Sequence, residues 1–473
     1  MARDLASPLR ADRGATLGPG PCERGQKFSG SGRLGNPPAP VKSRSAGARR
    51  RRRAETLLPR AAALAAAAAA ALAVAAPAAT LRVGTSGDYA PFSSGRGTGA
   101  SGFDLDVARA FASERGHDLE LVSFRWPQLE TDLRAGRFDV AMSGITVRPE
   151  RSAAGRFSIP VAESGAVALV RDPALYASLD ALDDPGARIG VNEGGHLERA
   201  ARERFPRATL LAIPSNSAVA RALAEGAVDA VVSDTLEAPG WLERAPGAEA
   251  LGPFTRDRKA YLVRADRPEL AAEIDAWILA HEADGTLARL RAQHLGRGAP
   301  RTALPLAALV AAIDERLALM PQVALEKQRL GLPTLAPARE REVQEHGVIA
   351  TRDAARSAGS APPPDESIRA LFGALVLAAK DVQRAPLAPL PDAAAGDLDA
   401  ELRPALLRIG DRIAWLSVRL PTGLRVVEAD VALREGLRTP GVAESSRRAL
   451  ALAIAALATP PAPGPGEAPP AAE

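Results

Sequence analysis

The sequence predicts two α/β lobes facing one another across a cleft, followed by an all-α bundle. Three observations carry this prediction. Strand-like and helix-like stretches alternate from residue 81 to residue 233, the pattern of βαβ units and parallel sheets. The alternation comes in two successive blocks, which implies two lobes with a cleft between them. Beyond Gly298 strand-like alternation stops and helical periodicity takes over, which marks a separate all-α domain.

The N-terminal segment reads as targeting rather than fold. Residues 1–60 form a basic extension ending in the run Arg49, Arg50, Arg51, Arg52 and Arg53, and Gly, Pro, Ser and Arg dominate its first 48 residues without periodicity. Such a composition is expected to be disordered. An apolar stretch, 61–76, then leads into Ala76-Pro77-Ala78. A positive region, an apolar region and small residues at a cleavage point make a secretory signal over 61–79. A membrane anchor is the alternative, but the stretch is mostly alanine and short for a span. No transmembrane run follows residue 80, so a soluble periplasmic protein with no membrane contact after cleavage is expected.

From there the elements follow in order. Residues 81–84 read as a strand, and 103–116 as a helix with Phe103, Val107, Ala110 and Phe111 on one face and Gly116 at its end. Strand 119–124, helix 126–135 and strand 138–142 complete the first block. The second runs through strand 188–191, helix 196–205, strand 209–213, helix 217–225 and strand 230–233. Together they make a domain over 80–297, whose ligand site belongs at the carboxyl ends of the parallel strands. A short join with Gly296, Gly298 and Pro300 leads to helices at 303–331, 337–357, 365–384 and 397–420. This second domain, 303–420, continues helically to 458. Residues 459–473 are a Pro/Ala/Gly-rich tail expected to be disordered.

Composition narrows the function classes. The chain has 473 residues and a formal net charge of +4, an excess that the N-terminal arginine run accounts for. No basic face with interleaved aromatics appears, which argues against nucleic-acid binding. The single cysteine, Cys22, lies in the extension, so neither a disulfide framework nor a cysteine metal site is available. The sequence does not indicate an oligomeric state.

Residues 81–297 carry a resemblance. Gly87-Asp88-Tyr89-Ala90-Pro91-Phe92, Gly102-Phe103-Asp104-Leu105-Asp106, and Arg137-Phe138-Asp139 with Phe157-Ser158-Ile159-Pro160 resemble the type 3 solute-binding proteins that capture amino acids. Trp126-Pro127-Gln128-Leu129, Ala141-Met142-Ser143-Gly144-Ile145-Thr146, Ser233-Asp234-Thr235-Leu236-Glu237-Ala238 and Arg258-Lys259-Ala260-Tyr261-Leu262 resemble, more narrowly, the cyclohexadienyl dehydratases on that periplasmic-binding-protein fold. These exported enzymes dehydrate and decarboxylate prephenate or arogenate.

That chemistry asks for a general acid to protonate a departing hydroxyl. A carboxyl kept protonated by desolvation can serve. The resemblance assigns this role to Glu237, just past strand 230–233; read without it, Glu237 is equally a surface acid opening a helix. Arg151 matches the arginine that grips the ligand carboxylate, with Ser143, Gly144 and Thr146 beside it. Asn192, Gly195 and His196 open a helix whose N–H groups can hold a second carboxylate; His196 stands where the family often has a hydroxyl residue. Asp234 matches the position that meets an amino group, and would favour arogenate if it points into the cleft. Lys259 would neutralise a carboxylate or Glu237. Tyr89, Phe92 and Trp126 would pack on the substrate ring.

Residues 306–420 resemble the exported all-α chorismate mutases, through Ile313-Asp314-Glu315-Arg316-Leu317, Val323-Ala324-Leu325-Glu326-Lys327 and Arg339-Glu340. Arg316 and Lys327 share a helix face roughly 16 Å apart along the axis, with Pro321 between them able to kink the helix. By resemblance Arg316 and Arg339 hold carboxylates, Lys327 and Gln383 meet the ether oxygen of chorismate, Glu340 binds its hydroxyl, and Arg403 completes the cage. Ala336 and Ala379 stand where relatives have polar residues. A pericyclic rearrangement needs no cofactor and no metal, only a held conformer and stabilised charge. The chain is thus expected to take chorismate through prephenate to phenylpyruvate, with small molecules as its partners. The rival expectation is an amino-acid receptor of a transporter fused to a mutase.

Overall fold

The computed structural model describes residues 79–297, 299–386 and 396–459. The expected signal at 61–79, the extension before it and the tail from 460 lie outside the described residues, Ala79 apart.

The first lobe begins with β1 (Thr80–Thr85), α1 (Phe103–Arg115), β2 (Asp118–Ser123), α2 (Leu129–Arg134) and β3 (Val140–Ala141). Gly116 closes α1 in the left-handed conformation, as a helix-ending glycine does. Next come α3 (Pro149–Ala154) and β4 (Gly155–Phe157). The chain crosses on β5 (Ala162–Ser164) into the second lobe: β6 (Ala166–Val170), β7 (Arg188–Asn192), α4 (His196–Arg204), β8 (Thr209–Ile213), α5 (Asn216–Glu225), β9 (Ala230–Asp234), α6 (Ala238–Leu242) and β10 (Glu249–Leu251). It returns on β11 (Asp257–Lys259), which pairs antiparallel with β5, to β12 (Leu262–Arg264), α7 (Pro268–Ala283) and α8 (Thr286–His294).

The sheets correct the expectation of purely parallel blocks in series. The first-lobe sheet has the order β2-β1-β3-β12-β4, and the second β8-β7-β9-β6-β10. In each, the strand adjoining the crossover runs antiparallel: β12 against β3 and β4, β6 against β9 and β10. The second lobe is an insertion, and the chain must re-enter the first lobe from the opposite direction. Strands β5 and β11 pair antiparallel where the chain crosses between the lobes, and so form a two-stranded hinge segment.

The helical part consists of α9 (Pro305–Ala318), α10 (Met320–Arg329), α11 (Pro337–Ser357), α12 (Asp365–Arg384), α13 (Arg403–Ser417), α14 (Val426–Gly436) and α15 (Glu444–Leu457). The single helix expected over 303–331 is broken at Leu319. Pro321 has no N–H for the Leu317 carbonyl, and its ring crowds that carbonyl. α9 buries nearly every residue from Ala308 to Leu317. The apolar core of this part is continuous with that of the first lobe, joining Val310, Ile313 and Ile413 to Phe157, Ile159 and Tyr261.

Charged side chains stitch the same seam. Arg412 pairs with Glu315 and donates to the carbonyl of Phe157; both side chains are buried. Ser152 donates to Glu315 at 2.9 Å. Arg258 on the hinge strand β11 donates to Asp314 at 2.5 Å.

Candidate active sites

The cleft site is assembled from both lobes. Tyr89, Trp126, Gly144, Thr146 and Arg151 come from the first, Asn192, Gly195, His196, Leu197 and Asn216 from the second, and Lys259 from the hinge. The space they enclose is about 20 Å³, room for one or two waters. The lobes are closed, and a ring-sized substrate must part them. Gly144 shapes the first-lobe wall. It has φ +62, and a Cβ there would stand 2.5 Å from the Tyr89 ring, so only glycine suits the position.

Arg151 is fully buried. It donates to Glu130 and to the Thr146 carbonyl, both at 3.1 Å, and its guanidinium lies 5.8 Å from the Trp126 ring centre. Its remaining nitrogen is available to a carboxylate. Trp126 packs edge-on to Tyr89, and both rings are buried. Opposite them, the side-chain oxygens of Asn192 and Asn216 and both His196 nitrogens are buried without hydrogen-bond partners among the described residues. Buried polar groups are seldom left so, and all three residues line the cleft space. His196 Nε2 lies 3.0 Å from Asp257 Oδ2. Burial nevertheless holds the imidazole below its ordinary pKa.

Of three further expected residues, Ser143 and Glu237 stand behind the wall rather than on it, and Asp234 bridges the lobes. Ser143 turns to the hydroxyls of Ser86 and Ser93, at 2.9 and 2.6 Å. This packs the loop and takes the hydroxyl from the cleft. Asp234 accepts from the Tyr89 hydroxyl and lies 3.2 Å from Lys259 Nζ, fully buried. Its carboxylate reaches across to the first lobe and is occupied there by Tyr89 and Lys259, at the position expected to meet a substrate amino group. Glu237, 4% exposed, accepts from Ser233 at 3.0 Å and from the Asn216 amide at 3.3 Å. Asn216 stands between its carboxyl and the cleft.

The Glu237 environment sets its protonation. Burial, and then the nearby Asp234 carboxylate, push its pKa well above the ordinary carboxyl value; Ser233 and Lys259 pull back only in part. Lys259 also donates to the Tyr89 hydroxyl at 2.7 Å and to Thr146 at 3.0 Å.

Two cleft residues escaped the sequence reading. Asp88 of the first lobe accepts from Trp126 at 3.3 Å and from the backbone N–H of Asn216 in the second lobe at 3.4 Å. Asn216 opens α5 after a Ser215 cap and looks in sequence like any helix start. With the Tyr89–Asp234 contact, the Asp88–Asn216 contact latches the lobes together.

The helical part holds a second cavity, of about 200 Å³. Arg316, Lys327, Arg339, Lys380 and Arg403 line it with Glu340, Gln383 and apolar groups such as Val343 and Phe372. The break at Leu319 leaves Arg316 and Lys327 on two helices, yet both line this cavity. Arg316 donates to the Leu406 carbonyl at 3.2 Å, and its Nε is buried without a partner. Burial, helped by Arg339, lowers its pKa to about 10. Lys327 Nζ lies 3.1 Å from Gln383 Oε1. Among the described residues the Gln383 amide N–H has only the Met320 sulfur, at 3.4 Å, a weak acceptor. Glu340 accepts from Lys380 at 2.7 Å, while its other oxygen is buried and unpartnered. Arg339 is half exposed and paired with Glu342 at 2.8 Å. Lys380 had no place in the sequence reading.

Comparison with known proteins places the cleft part. The family model of the bacterial extracellular solute-binding proteins, family 3, matches residues 81–297. A cyclohexadienyl dehydratase of Pseudomonas aeruginosa is 35% identical over 223 residues, 46% of this chain and 82% of that protein. The chain belongs to this solute-binding family. An arginine-binding protein of an Escherichia coli ABC transporter is 26% identical over 226 residues, 46% of this chain and 92% of that protein. The crystal structure of an ancestral amino-acid-binding protein, described as a precursor of cyclohexadienyl dehydratase, is 32% identical, with a TM-score of 0.44; the match covers 46% of this chain and 95% of that one. The two-lobed family 3 fold thus occupies the N-terminal part, and the C-terminal part is helical. Among the described residues no helix is long and apolar enough to cross a membrane.

Proposed function

We propose that this chain is a dehydratase of prephenate-type cyclohexadienols, joined to a chorismate mutase that supplies its substrate. One observation carries the dehydratase reading: Glu237, a buried carboxyl with a strongly raised pKa, stands one side chain behind a cleft that presents the Arg151 guanidinium. A binding module needs the arginine but has no use for a buried acid held protonated.

The chemistry follows from those groups. Arg151 takes one substrate carboxylate. The N-terminus of α4, with His196 and Asn192, takes the other. When the lobes close on substrate, the Asn216 amide gives way and Glu237 protonates the ring hydroxyl. The carbon–oxygen bond breaks as water leaves. The pair of electrons from the bond to the departing carboxylate enters the ring as CO2 is lost, and the ring becomes aromatic. Each turnover consumes the Glu237 proton, which solvent replaces on opening.

The occupied Asp234 supports a keto acid over an amino acid. An amine would have to displace Lys259, 3.2 Å from Asp234 in a buried pair. Prephenate is therefore favoured over arogenate, and both over the free amino acids that a transport receptor takes.

The helical cavity supports the mutase reading. Five cationic side chains face one carboxylate, Glu340, a charge balance suited to a dianion. Arg316 and Arg339 would hold carboxylates, Lys327 and the Gln383 amide the ether oxygen, Glu340 the hydroxyl. Lys380 and Arg403 complete the cage. Residues 80–297 would be the dehydratase part and 303–420, extended to 458, the mutase. Export through a signal at 61–79 belongs to the same reading; N-terminal sequencing of secreted protein beginning near residue 80 would support it.

The deciding experiment supplies purified protein separately with chorismate, prephenate and arogenate. Phenylpyruvate from both chorismate and prephenate is the expected result. Conversion of chorismate that stops at prephenate, with arogenate also untouched, would leave the cleft a binding site and end the dehydratase reading.

A further inference from the structure

A third cavity, of about 300 Å³, lies at the seam between the hinge and the helical part. It is one structural layer from each site described above. Thr146 and Lys259 line the cleft, while their neighbours Val147 and Arg258 line the seam. Across it, Glu315 and Ala318 of α9 line the seam while Arg316 lines the helical cavity. Arg148, Arg256, Arg258 and Arg438 all border it.

The polar groups do not balance. The two acids of α9 at the seam, Asp314 and Glu315, have both carboxylate oxygens engaged. Asp314 accepts from Arg258 and from the backbone N–H groups of Arg438 and Thr439, at 2.5, 2.8 and 2.9 Å. Glu315 is taken by Arg412 and Ser152. Asp257 accepts from Thr255 at 2.9 Å through the oxygen that lies 3.0 Å from His196 Nε2. The guanidiniums are not used up. Arg256 gives one hydrogen bond, to the Glu435 carbonyl at 2.7 Å. Arg438 gives one to the Arg256 carbonyl and one to Glu163, and among the described residues its buried Nε has no partner.

Arg148 is the extreme case. Among the described residues its side chain donates no hydrogen bond. Its Nε is buried, 3.6 Å from a Glu150 carboxylate that also takes Arg199. Burial, and then Arg151, lower its pKa to about 10. A guanidinium offers five donors in a planar fork matched to carboxylate. Unspent forks around a cavity this size call for an anion with more than one carboxylate.

We propose that the seam cavity is a binding site for a small organic dicarboxylate, held by Arg148, Arg256 and Arg438 and separate from the cleft and the helical cavity. Whether or not either of those is catalytic, the site stands on its own donors. Its position gives a bound dianion contact with the hinge strand β11, whose Lys259 lines the cleft, and with the start of α3, whose Arg151 lines it. The ligand is either the dianion that the helical cavity would release or an unrelated metabolite of the same charge.

Malonate is the probe for the chemistry, and prephenate the probe for its source. Titrated into the full chain by calorimetry, malonate should bind with an affinity that falls at least tenfold in Arg148→Gln/Arg438→Gln. It should fall at least threefold in Arg256→Ala, and should survive Arg151→Gln and Arg316→Gln singly. Arg256 is exposed, and its only side-chain hydrogen bond among the described residues is to a backbone carbonyl, so Arg256→Ala decides the matter if the buried pair fails to fold. Prephenate displacing malonate from the Arg151→Gln protein would make the released dianion the ligand; malonate binding without displacement would assign the site to another dicarboxylate. Affinity unchanged in Arg256→Ala, or lost with Arg151→Gln or with Arg316→Gln, would overturn the site.

Discussion

Arg258 and Lys259 are consecutive on the hinge strand and serve different parts of the molecule. Arg258 reaches Asp314 of the helical part, and Lys259 reaches Tyr89, Thr146 and Asp234 in the cleft. Strand geometry sends neighbouring side chains to opposite faces, so one short strand joins the seam to the cleft. The Arg258–Asp314 pair is buried, each side chain 9% exposed. Removing one partner of such a pair strands the other charge, at about 3–5 kcal/mol. Asp314→Ala should therefore lower the unfolding free energy by about that much in urea titration. Asp314→Asn, which keeps acceptors for the N–H groups of Arg438 and Thr439, should lose less. Equal stability of wild type and Asp314→Ala would show that the seam does not support the fold.

Glu237→Gln should abolish most turnover of prephenate. Loss of a general acid costs about 10²–10⁴-fold. The amide is nearly isosteric and can keep the Ser233 contact, so substrate affinity should hold. The sign of the pH effect follows from the raised pKa. The carboxyl is protonated and active below its folded pKa, and activity falls as pH rises through that value. The variant's residual rate should lack this alkaline limb. A wild-type alkaline limb that persists unchanged in Glu237→Gln would remove Glu237 from the acid role.

What the sequence could show depended on range. The helix at 103–116, its closing Gly116 and the strand over 81–84 rest on local periodicity and capping, and they appear within a residue or two. The hinge strands β5 and β11 have three residues each and pair across 93 positions, Ser164 with Asp257 at one end, so no local pattern announces them. Asp314 and Glu315 read as ordinary charges on a helix. They are buried because Arg258 and Arg412, distant in sequence, neutralise them. In the site, Arg151 and Lys259 were legible from motifs. Asp88, Asn216 and Lys380 were not, since an Asp before a tyrosine or an Asn at a helix start carries no signal of what faces it.

Lys327→Ala should stop the rearrangement of chorismate while leaving prephenate turnover intact. The ammonium sits 3.1 Å from the Gln383 oxygen, where the two can converge on one ligand oxygen. Losing one such donor to developing charge costs about 10²–10³-fold in rate. Chorismate consumption followed by absorbance, beside phenylpyruvate formation from added prephenate, separates the two activities. A parallel fall in both would point to a folding defect instead.

Asp104 offers a test of the cleft wall through pH and stability. Its carboxylate accepts the Gly144 N–H at 2.5 Å, and so holds the glycine turn against Tyr89. Burial raises its pKa to about 7, with Gly144, Tyr261 and Lys259 pulling the other way. The folded state thus keeps a proton that the unfolded chain releases at ordinary carboxyl pH. Asp104's favourable contribution is complete in acid, declines as pH rises above the unfolded value, and is lost once pH passes about 7. Asp104→Asn keeps the acceptor and removes the proton. Relative to wild type, the variant should gain stability between pH 5 and pH 8 in parallel urea titrations. A difference between the two proteins that does not change with pH would mean that Asp104 is ionised throughout, and that the Gly144 turn is held by a charge.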